Sequence, residues 1–179
     1  LELTNQIKVG DPTKRDVFMG PIINESAYNA YQKYVEDAAE QGKILAGGKT
    51  LDDSGYFVAP TIIDELPEDH YLWKHEMLAP VVTIAGYEEK EEAMAKANDV
   101  TFGLTAGFFS EDDEEVDWFL DNIEAGVLYV NRSTGATTGA WPGYQSFGGW
   151  KGSTGTAKAA GSFYYLQQYM KEQSHTIVD

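Results

Sequence analysis

Residues 81–131, VVTIAGYEEKEEAMAKANDVTFGLTAGFFSEDDEEVDWFLDNIEAGVLYVN, contain the pattern that decides the fold. Three apolar runs, the first of them β-branched, predict strands, and the two charged segments between them predict helices. The predicted strands are 81–85, 104–109 and 127–131, and the predicted helices are 89–98 and 112–123. Strands that alternate with helices pair in parallel through right-handed crossovers. The sequence therefore predicts an α/β fold with an open, mostly parallel sheet and flanking helices.

The segment 26–41 has apolar side chains at intervals of three and four residues, which predicts an amphipathic helix. Asn24 or Ser26 is placed to cap its amino end, and Gly42 to end it. The first twenty or so residues alternate turn signals with short apolar runs and predict a connecting segment.

Two short apolar runs follow this helix. We expect a strand over 43–48, closed by glycines, and an extended segment over 56–63, in which Pro60 requires a sheet edge or a break. The run 81–85 is apolar enough for a strand buried on both faces.

Composition limits the function. The 179 residues are 42% hydrophobic and 13% aromatic, which excludes a disordered polymer and fits one domain. Twenty-nine acidic against 13 basic side chains give a net charge of −16, which opposes binding to nucleic acid and to anionic membranes. No apolar run reaches the roughly 20 residues of a membrane helix. With no secretory pattern at the start, we expect a cytoplasmic protein.

Two features outside the predicted sheet have alternative interpretations. The acidic residues 112–115 resemble a cation site, but the first turn of a helix favours negative side chains, and we interpret them in that way. The segment 132–161 is rich in Gly, Ser, Thr and Ala, and a loop of that length in a compact domain is typical of function.

The histidines predict no metal site. His70, His75 and His175 do not repeat at metal-ligand spacing, and no His-Glu-x-x-His string is present. His75 and Glu76 are adjacent and could be an acid–base pair, but we expect neighbouring side chains to point apart.

The string HEMLAPVV at 75–82 resembles the Glu-Glu-Ile-Phe-Gly-Pro-Val motif of the aldehyde dehydrogenase family. In that family the second glutamate accepts hydrogen bonds from the nicotinamide ribose, and the aromatic residue packs beside the nicotinamide. These positions correspond to Glu76 and Leu78, which the resemblance implies are cofactor-binding residues for NAD or NADP in an intact enzyme. The chain departs from the motif at His75, Leu78 and Ala79.

The string NRSTGATTGAWPGYQSFGG at 131–149 resembles the aldehyde-anchoring loop of the 1-pyrroline-5-carboxylate dehydrogenase branch of that family. The resemblance implies that backbone N–H groups at Gly135 and Ala136 hold the substrate carboxylate, where small residues allow close approach. Phe147 would pack on the aliphatic part of the substrate, and Asn131 would order the start of the loop. Ala136 stands where serine is frequent, and Ser146 where the family has proline.

Shorter matches in the order of the family extend the resemblance over nearly the whole chain. Among them are VGDP at 9–12, MGPII at 19–23, GYFVAPTI at 55–62 and FGLTA at 102–106. The resemblance implies a partial catalytic domain over 1–162. It also implies a C-terminal oligomerisation tail over 163–179, with a strand that pairs with another chain.

The family acts through a cysteine thiolate that attacks the aldehyde, hydride transfer to the cofactor, and base-assisted hydrolysis. This chain has no cysteine. In the family the cysteine, the base and the cofactor domain precede the Val-Gly-Asp-Pro motif. We therefore expect the C-terminal portion of an NAD(P)-dependent oxidoreductase that converts glutamate semialdehyde to glutamate in proline catabolism. It would have no catalytic residue of its own, bind no cofactor tightly and be inactive alone.

Two partners fit this expectation, a second copy of the chain or a complementary N-terminal aldehyde dehydrogenase chain, and the substrate would be a small amino-acid-like aldehyde. An alternative is a freestanding non-catalytic relative that acts as a small-carboxylate-binding or oligomerisation module. A decayed remnant without a ligand is a third interpretation, which the changes at Ala79, Ala136 and Ser146 favour slightly.

Overall fold

The computed structural model describes residues 1–51, 54–132, 146–154 and 160–179. The chain divides into two compact units, Leu1–Gly86 and Tyr87–Asp179. Both units contain helices and short strands, so the predicted mixed α/β class is confirmed. The described strands form three small sheets rather than one.

In its described residues the first unit contains two α-helices, three strands and a 3-10 turn. These are α1 (Glu2–Gln6), α2 (Glu25–Gln41), β1 (Lys43–Ala46), β2 (Thr61–Asp64), the 3-10 turn Tyr71–Trp73 and β3 (Val81–Thr83). The predicted limits of α2 are confirmed, since Asn24 Oδ1 accepts a hydrogen bond from Ala27 N at 2.9 Å and Gly42 follows the last helical residue. Helix α1 lies where only a connecting segment was expected.

The sheet of the first unit has the order β1-β2-β3, with β2 antiparallel to β1 and parallel to β3. Pro60 stands directly before β2, which is the break that its missing N–H requires. Strand β1 ends before Gly47, whose φ is +74° and where a β-carbon would lie 2.1 Å from Pro60 O. Glycine is therefore required at that turn.

The expectation of a fully buried strand at 81–85 is wrong. Strand β3 forms, but Val82 remains 50% exposed and Ile84 41% exposed. The reason is that Val82 and Ile84 lie on one face of the strand, which the described residues leave partly uncovered.

The core of the first unit joins α2 to the sheet through Ala38, Ile63, Leu66 and Leu72. Beside it, the buried Tyr31 hydroxyl lies 2.9 Å from Ala59 O and 2.7 Å from Thr61 Oγ1. Burial raises the pKa of this phenol. Because buried polar groups need partners, this network fixes α2 against the start of β2.

The part of the second unit that the structure describes contains two α-helices, four strands and a 3-10 turn. These are α3 (Lys90–Asn98), β4 (Phe102–Gly103), β5 (Thr105–Phe108), α4 (Asp113–Asn122), β6 (Val127–Val130), β7 (Trp150–Lys151) and the 3-10 turn Leu166–Tyr169. Strands β5 and β6 pair in parallel, as expected from the intervening helix. Strand β7 pairs antiparallel with β4, within the segment expected to be loop.

The amino end of α4 explains the acidic cluster. Asp112 Oδ1 accepts hydrogen bonds from Glu114 N at 2.8 Å and Glu115 N at 3.2 Å, so this carboxylate caps the helix. Helix α4 packs on the sheet through Phe119, whose ring stacks on Phe108 with centroids 4.8 Å apart. The core of this unit therefore lies between α4 and the pair β5–β6.

The tail 163–179 contains the 3-10 turn Leu166–Tyr169 and no strand. Phe163 is 97% exposed, and several other apolar side chains of the tail are exposed with it. The predicted strand that pairs with another chain, and the division at 162, stay predictions. Among the helices that the structure describes, none combines the length and apolar character needed to cross a membrane.

Candidate functional site

The segment 75–78 follows the 3-10 turn of the first unit, and its side chains at 75 and 77 contact α2 and the core. His75 Nε2 lies 2.9 Å from Tyr34 OH on α2, and Met77 packs against the buried core. Glu76 between them is exposed, and Leu78 is 77% exposed. The contacts of His75 and Met77 thus fix the segment, while both cofactor-binding candidates are exposed to a ligand.

The backbone at Leu78 is strained. Its φ is +50°, a conformation that a residue with a β-carbon adopts at a cost of about 1–2 kcal/mol. Among the described residues, the non-glycine positions with positive φ are Glu65, Leu78, Asn131 and Lys151. Two of these four are site candidates from the sequence, and such strain is frequent at functional sites.

A cluster behind Glu76 ties this segment to α2. Tyr71 OH donates to Asp37 Oδ2 at 2.7 Å, and Lys33 Nζ donates to Asp37 Oδ1 at 3.1 Å. The ring of His75 lies 5.4 Å from that of Tyr34 and 5.8 Å from that of Tyr71. We call Tyr34, Asp37, Tyr71 and His75 the α2 clamp.

The pKa shifts of Asp37 and Tyr71 agree with the hydrogen bond between them. The hydrogen bond from Tyr71 lowers the pKa of the Asp37 carboxyl, and burial, with the Asp37 carboxylate second, raises the pKa of the Tyr71 phenol. Tyr71 is therefore a neutral donor to an ionised acceptor at neutral pH. Sequence reasoning missed this cluster; the available signal was the i, i+3 spacing of Tyr34 and Asp37, which puts both on one helix face.

Asn131 lies directly after β6 in the second unit. Its side-chain Oδ1 accepts from Ser110 N at 3.0 Å, and its Nδ2 donates to Ser110 O at 2.7 Å. Ser110 Oγ in turn donates to Glu115 Oε2 at 2.7 Å, on the first turn of α4. Asn131 therefore joins the exit of β6 to the connection between β5 and α4.

Phe147 is half-buried, and its backbone N–H donates to Ala160 O at 2.8 Å. The two glycines that follow allow close backbone packing: the carbonyl of Gly148 faces Gly126, and Gly149 lies against Ser153. The backbone around Phe147 is thus held on both sides.

The candidates are distributed over both units. Glu76 and Leu78 share one segment of the first unit, and Asn131 and Phe147 belong to the second. Gly135 and Ala136 lie outside the described residues. Within 1–51, 54–132, 146–154 and 160–179, no three His, Cys, Asp or Glu side chains are grouped as metal ligands.

Comparison with known proteins identifies the family. The model of the aldehyde dehydrogenase family matches residues 1–175, and the chain belongs to that family. The chain is 36% identical over 178 residues to the 1-pyrroline-5-carboxylate dehydrogenase of Bacillus mycoides strain KBAB4, which covers 99% of this chain and 34% of the relative. It is 37% identical over 164 residues to the enzyme of the same name from Bacillus subtilis strain 168, covering 92% of this chain and 31% of the relative.

The fold gives the same result. The structure of 1-pyrroline-5-carboxylate dehydrogenase from Thermus with bound NAD superposes with a TM-score of 0.86 at 32% identity, over 95% of this chain and 32% of that one. The chain therefore spans about a third of the length of the relatives that it matches.

Proposed function

We propose that this chain supplies the C-terminal part of a glutamate semialdehyde dehydrogenase and becomes active with the N-terminal part of that fold, in proline catabolism. The observation that carries the proposal is the placement of Glu76 and Leu78, exposed together while His75 and Met77 face α2 and the core. Exposure is what a contact with a cofactor bound mainly by another part of the fold requires.

Glu76 and Leu78 fit a nicotinamide nucleotide. An ionised carboxylate offers acceptors to both hydroxyls of a ribose, and the exposed Leu78 offers apolar surface beside it. NAD or NADP, when bound, accepts the hydride of the aldehyde. The chain itself contributes only these two contacts, so we expect no tight cofactor binding without the N-terminal part.

The second unit would bind the substrate. We propose that backbone amides at Gly135 and Ala136 hold the carboxylate of the amino-acid-like aldehyde, and that Phe147 packs on its aliphatic part. Asn131 would fix the start of this loop through Ser110. Adjacent backbone N–H groups that point at one anion are a common means of holding a carboxylate.

The exposed face of β3 supports the proposal of a missing partner. Parallel strands are normally covered on both faces, yet Val82 is half-exposed on a strand parallel to β2. The matched relatives have roughly two thirds of their length outside the match. We propose that this N-terminal portion covers the exposed face of β3, from a complementary chain or from the rest of a longer one.

The test is reconstitution. The part of the Bacillus subtilis relative that precedes its matched segment is mixed with the 179-residue chain, and NADH formation is followed with glutamate semialdehyde. We expect association and NADH production by the mixture and none by either chain alone. The matched C-terminal segment of that relative is the positive control.

A substitution tests the cofactor contact. In the mixture, Glu76→Gln should raise the KM for NAD about tenfold, because hydrogen bonds to a charged group are lost. Glu36→Gln, an exposed glutamate on α2, is the matched control and should have no effect. A mixture that neither associates nor makes NADH, although the positive control does, would contradict the proposal.

A non-catalytic oligomerisation module is the second candidate, and the exposed apolar tail favours it. Phe163, Leu166 and Tyr169 expose apolar surface that a partner chain could cover. This candidate predicts a stable homo-oligomer in light scattering that never binds the N-terminal part.

A further inference from the structure

The segment 75–78 has little regular structure of its own. It belongs to no helix or strand, and it reaches β3 through Ala79 and Pro80. Its backbone is attached to the preceding turn by the hydrogen bond that His75 N donates to Tyr71 O, at 3.0 Å. Side-chain contacts must therefore supply most of what fixes the Glu76 carboxylate in place.

We infer that the α2 clamp positions Glu76 for the nicotinamide ribose, with Tyr34, Asp37, Tyr71 and His75 acting as positioning residues. The inference rests on the proposed function, since it assigns these side chains to the same cofactor contact. None of the four is itself assigned a contact with the cofactor. Their role is to fix the segment that carries Glu76.

The first attachment is His75 itself. Its Nε2 lies 2.9 Å from Tyr34 OH, and its ring meets the rings of Tyr34 and Tyr71 edge-on, at interplanar angles of 61° and 62°. Edge-to-face aromatic pairs stabilise by about 0.5–1.5 kcal/mol beyond the area they bury. His75 is adjacent to Glu76, so fixing its side chain restricts the backbone from which the carboxylate extends.

The second attachment is the turn that precedes the segment. His70 Nδ1 accepts from Leu72 N at 3.3 Å at the start of this turn, and the His70 ring stacks on Tyr71 with centroids 5.0 Å apart. Tyr71 then reaches Asp37 on α2. Because Asp37 is one helical turn from Tyr34, both attachments end on the same rigid face of α2.

His75 also explains a departure from the family motif. The motif has glutamate at this position, and a second carboxylate here would lie near Asp37, in a chain with a net charge of −16. Imidazole offers a ring for the two tyrosines and a nitrogen for the Tyr34 hydroxyl. In this chain the substitution at 75 therefore builds an attachment rather than removing one.

The experiment is amide hydrogen exchange on the 179-residue chain, followed by mass spectrometry of peptides that cover 74–78. Tyr34→Phe removes the hydroxyl and keeps the ring, and Tyr71→Phe breaks the bond to Asp37. Each should accelerate exchange in this peptide about fivefold, the effect of one hydrogen bond. Exchange in β2 serves as the internal reference and should not change.

Tyr28→Phe is the matched control, since Tyr28 lies on α2 outside the clamp, with its ring beside Tyr56. It should leave the 74–78 peptide unchanged. His75→Phe is a second variant that keeps a ring at an exposed position and loses the nitrogen, so its effect can be measured even if Tyr34→Phe destabilises the whole unit.

A second measurement separates positioning from general stability. In the reconstituted enzyme, Tyr34→Phe should raise the KM for NAD three- to tenfold and change kcat by less than twofold. Unchanged exchange in Tyr34→Phe, Tyr71→Phe and His75→Phe would overturn the inference, as would faster exchange with an unchanged KM. If the unsubstituted mixture makes no NADH, the proposed function fails, while the exchange data still decide whether the clamp fixes the segment.

Discussion

The carbonyl oxygen of Gly148 occupies the space beside Gly126 where a side chain would begin. A β-carbon built on Gly126 would lie 1.8 Å from that oxygen and 2.8 Å from the Cα of Gly149. The φ of Gly126 is not in the left-handed range. Glycine is required there because the two backbones lie too close together to leave room for a β-carbon. This contact holds the residues after Phe147 against the turn that precedes β6.

Gly126→Ala should therefore destabilise the chain by about 3 kcal/mol, at the upper end for overpacking, because the atom in the way is backbone and cannot rotate aside. Gly86→Ala is the matched control, since a β-carbon there meets nothing within 4 Å. Free energies of unfolding from urea denaturation measure both. Equal values for the two variants would refute the assigned contact.

Leu78 offers a test of backbone strain at the site. Leu78→Gly should raise the free energy of unfolding by about 1 kcal/mol, because glycine adopts a φ of +50° without the penalty that leucine bears there. Leu78→Ala removes the exposed side chain and keeps the strain, so it should change stability by less than about 0.5 kcal/mol. In thermal and urea unfolding, the Leu78→Gly variant should be more stable than the Leu78→Ala variant. The reverse order would show that the backbone is not strained.

The stability of the chain should depend on both the donor and the acceptor of the Asn131 side chain. Asn131→Asp keeps the acceptor for Ser110 N and loses the donor to Ser110 O, which should cost about 1 kcal/mol. Asn131→Ala loses both bonds and also the tolerance of asparagine for a φ of +54°, so the loss should reach about 2–3 kcal/mol. Asn131→Gly restores the backbone freedom and should fall between them in urea denaturation.

The Asp37–Tyr71 bond should appear in the pH dependence of stability. The folded pKa of Asp37 is lowered from 3.8, first by the hydrogen bond from Tyr71, so its contribution is present above that pH and is lost as pH falls through the folded pKa. Asp37→Asn should destabilise by about 1 kcal/mol at pH 7. The difference from the unsubstituted chain should shrink below about pH 4.

Tyr71→Phe provides the check on that assignment. Without the tyrosine hydroxyl, the largest cause of the lowered Asp37 pKa is gone. The pH at which acid removes the stability that Asp37 contributes should therefore rise toward 3.8. If the Tyr71→Phe variant and the unsubstituted chain lose this stability at the same acidic pH, Tyr71 does not hold the carboxylate.

The helices show which local signals were sufficient. Asn24 and Gly42 limit α2, and Asp112 caps α4, because a cap acts within a few residues of its own position. Helix α1 was missed because five residues without a side-chain cap leave little pattern to detect. Strand β7 was missed because its partner β4 lies far away in the sequence.

The candidate site, like the fold, was predicted from the sequence only in part. The motif at 75–82 predicts Glu76 and Leu78 as cofactor-binding residues, and the structure leaves both exposed, with Leu78 at a positive φ. The α2 clamp was not predicted, since Tyr34 and His75 are 41 residues apart and only the packing of the turn against α2 brings them together.

By itself the sequence determined the family, the mixed α/β class and the limits of the longest helix, because ordered motifs, apolar periodicity and caps are local properties of the chain. Only the tertiary structure decided that β3 lies at a half-exposed edge, that Gly126 must admit the Gly148 carbonyl, and that His75 faces Tyr34. Each of these depends on the distance between residues remote in sequence, which local propensities do not encode.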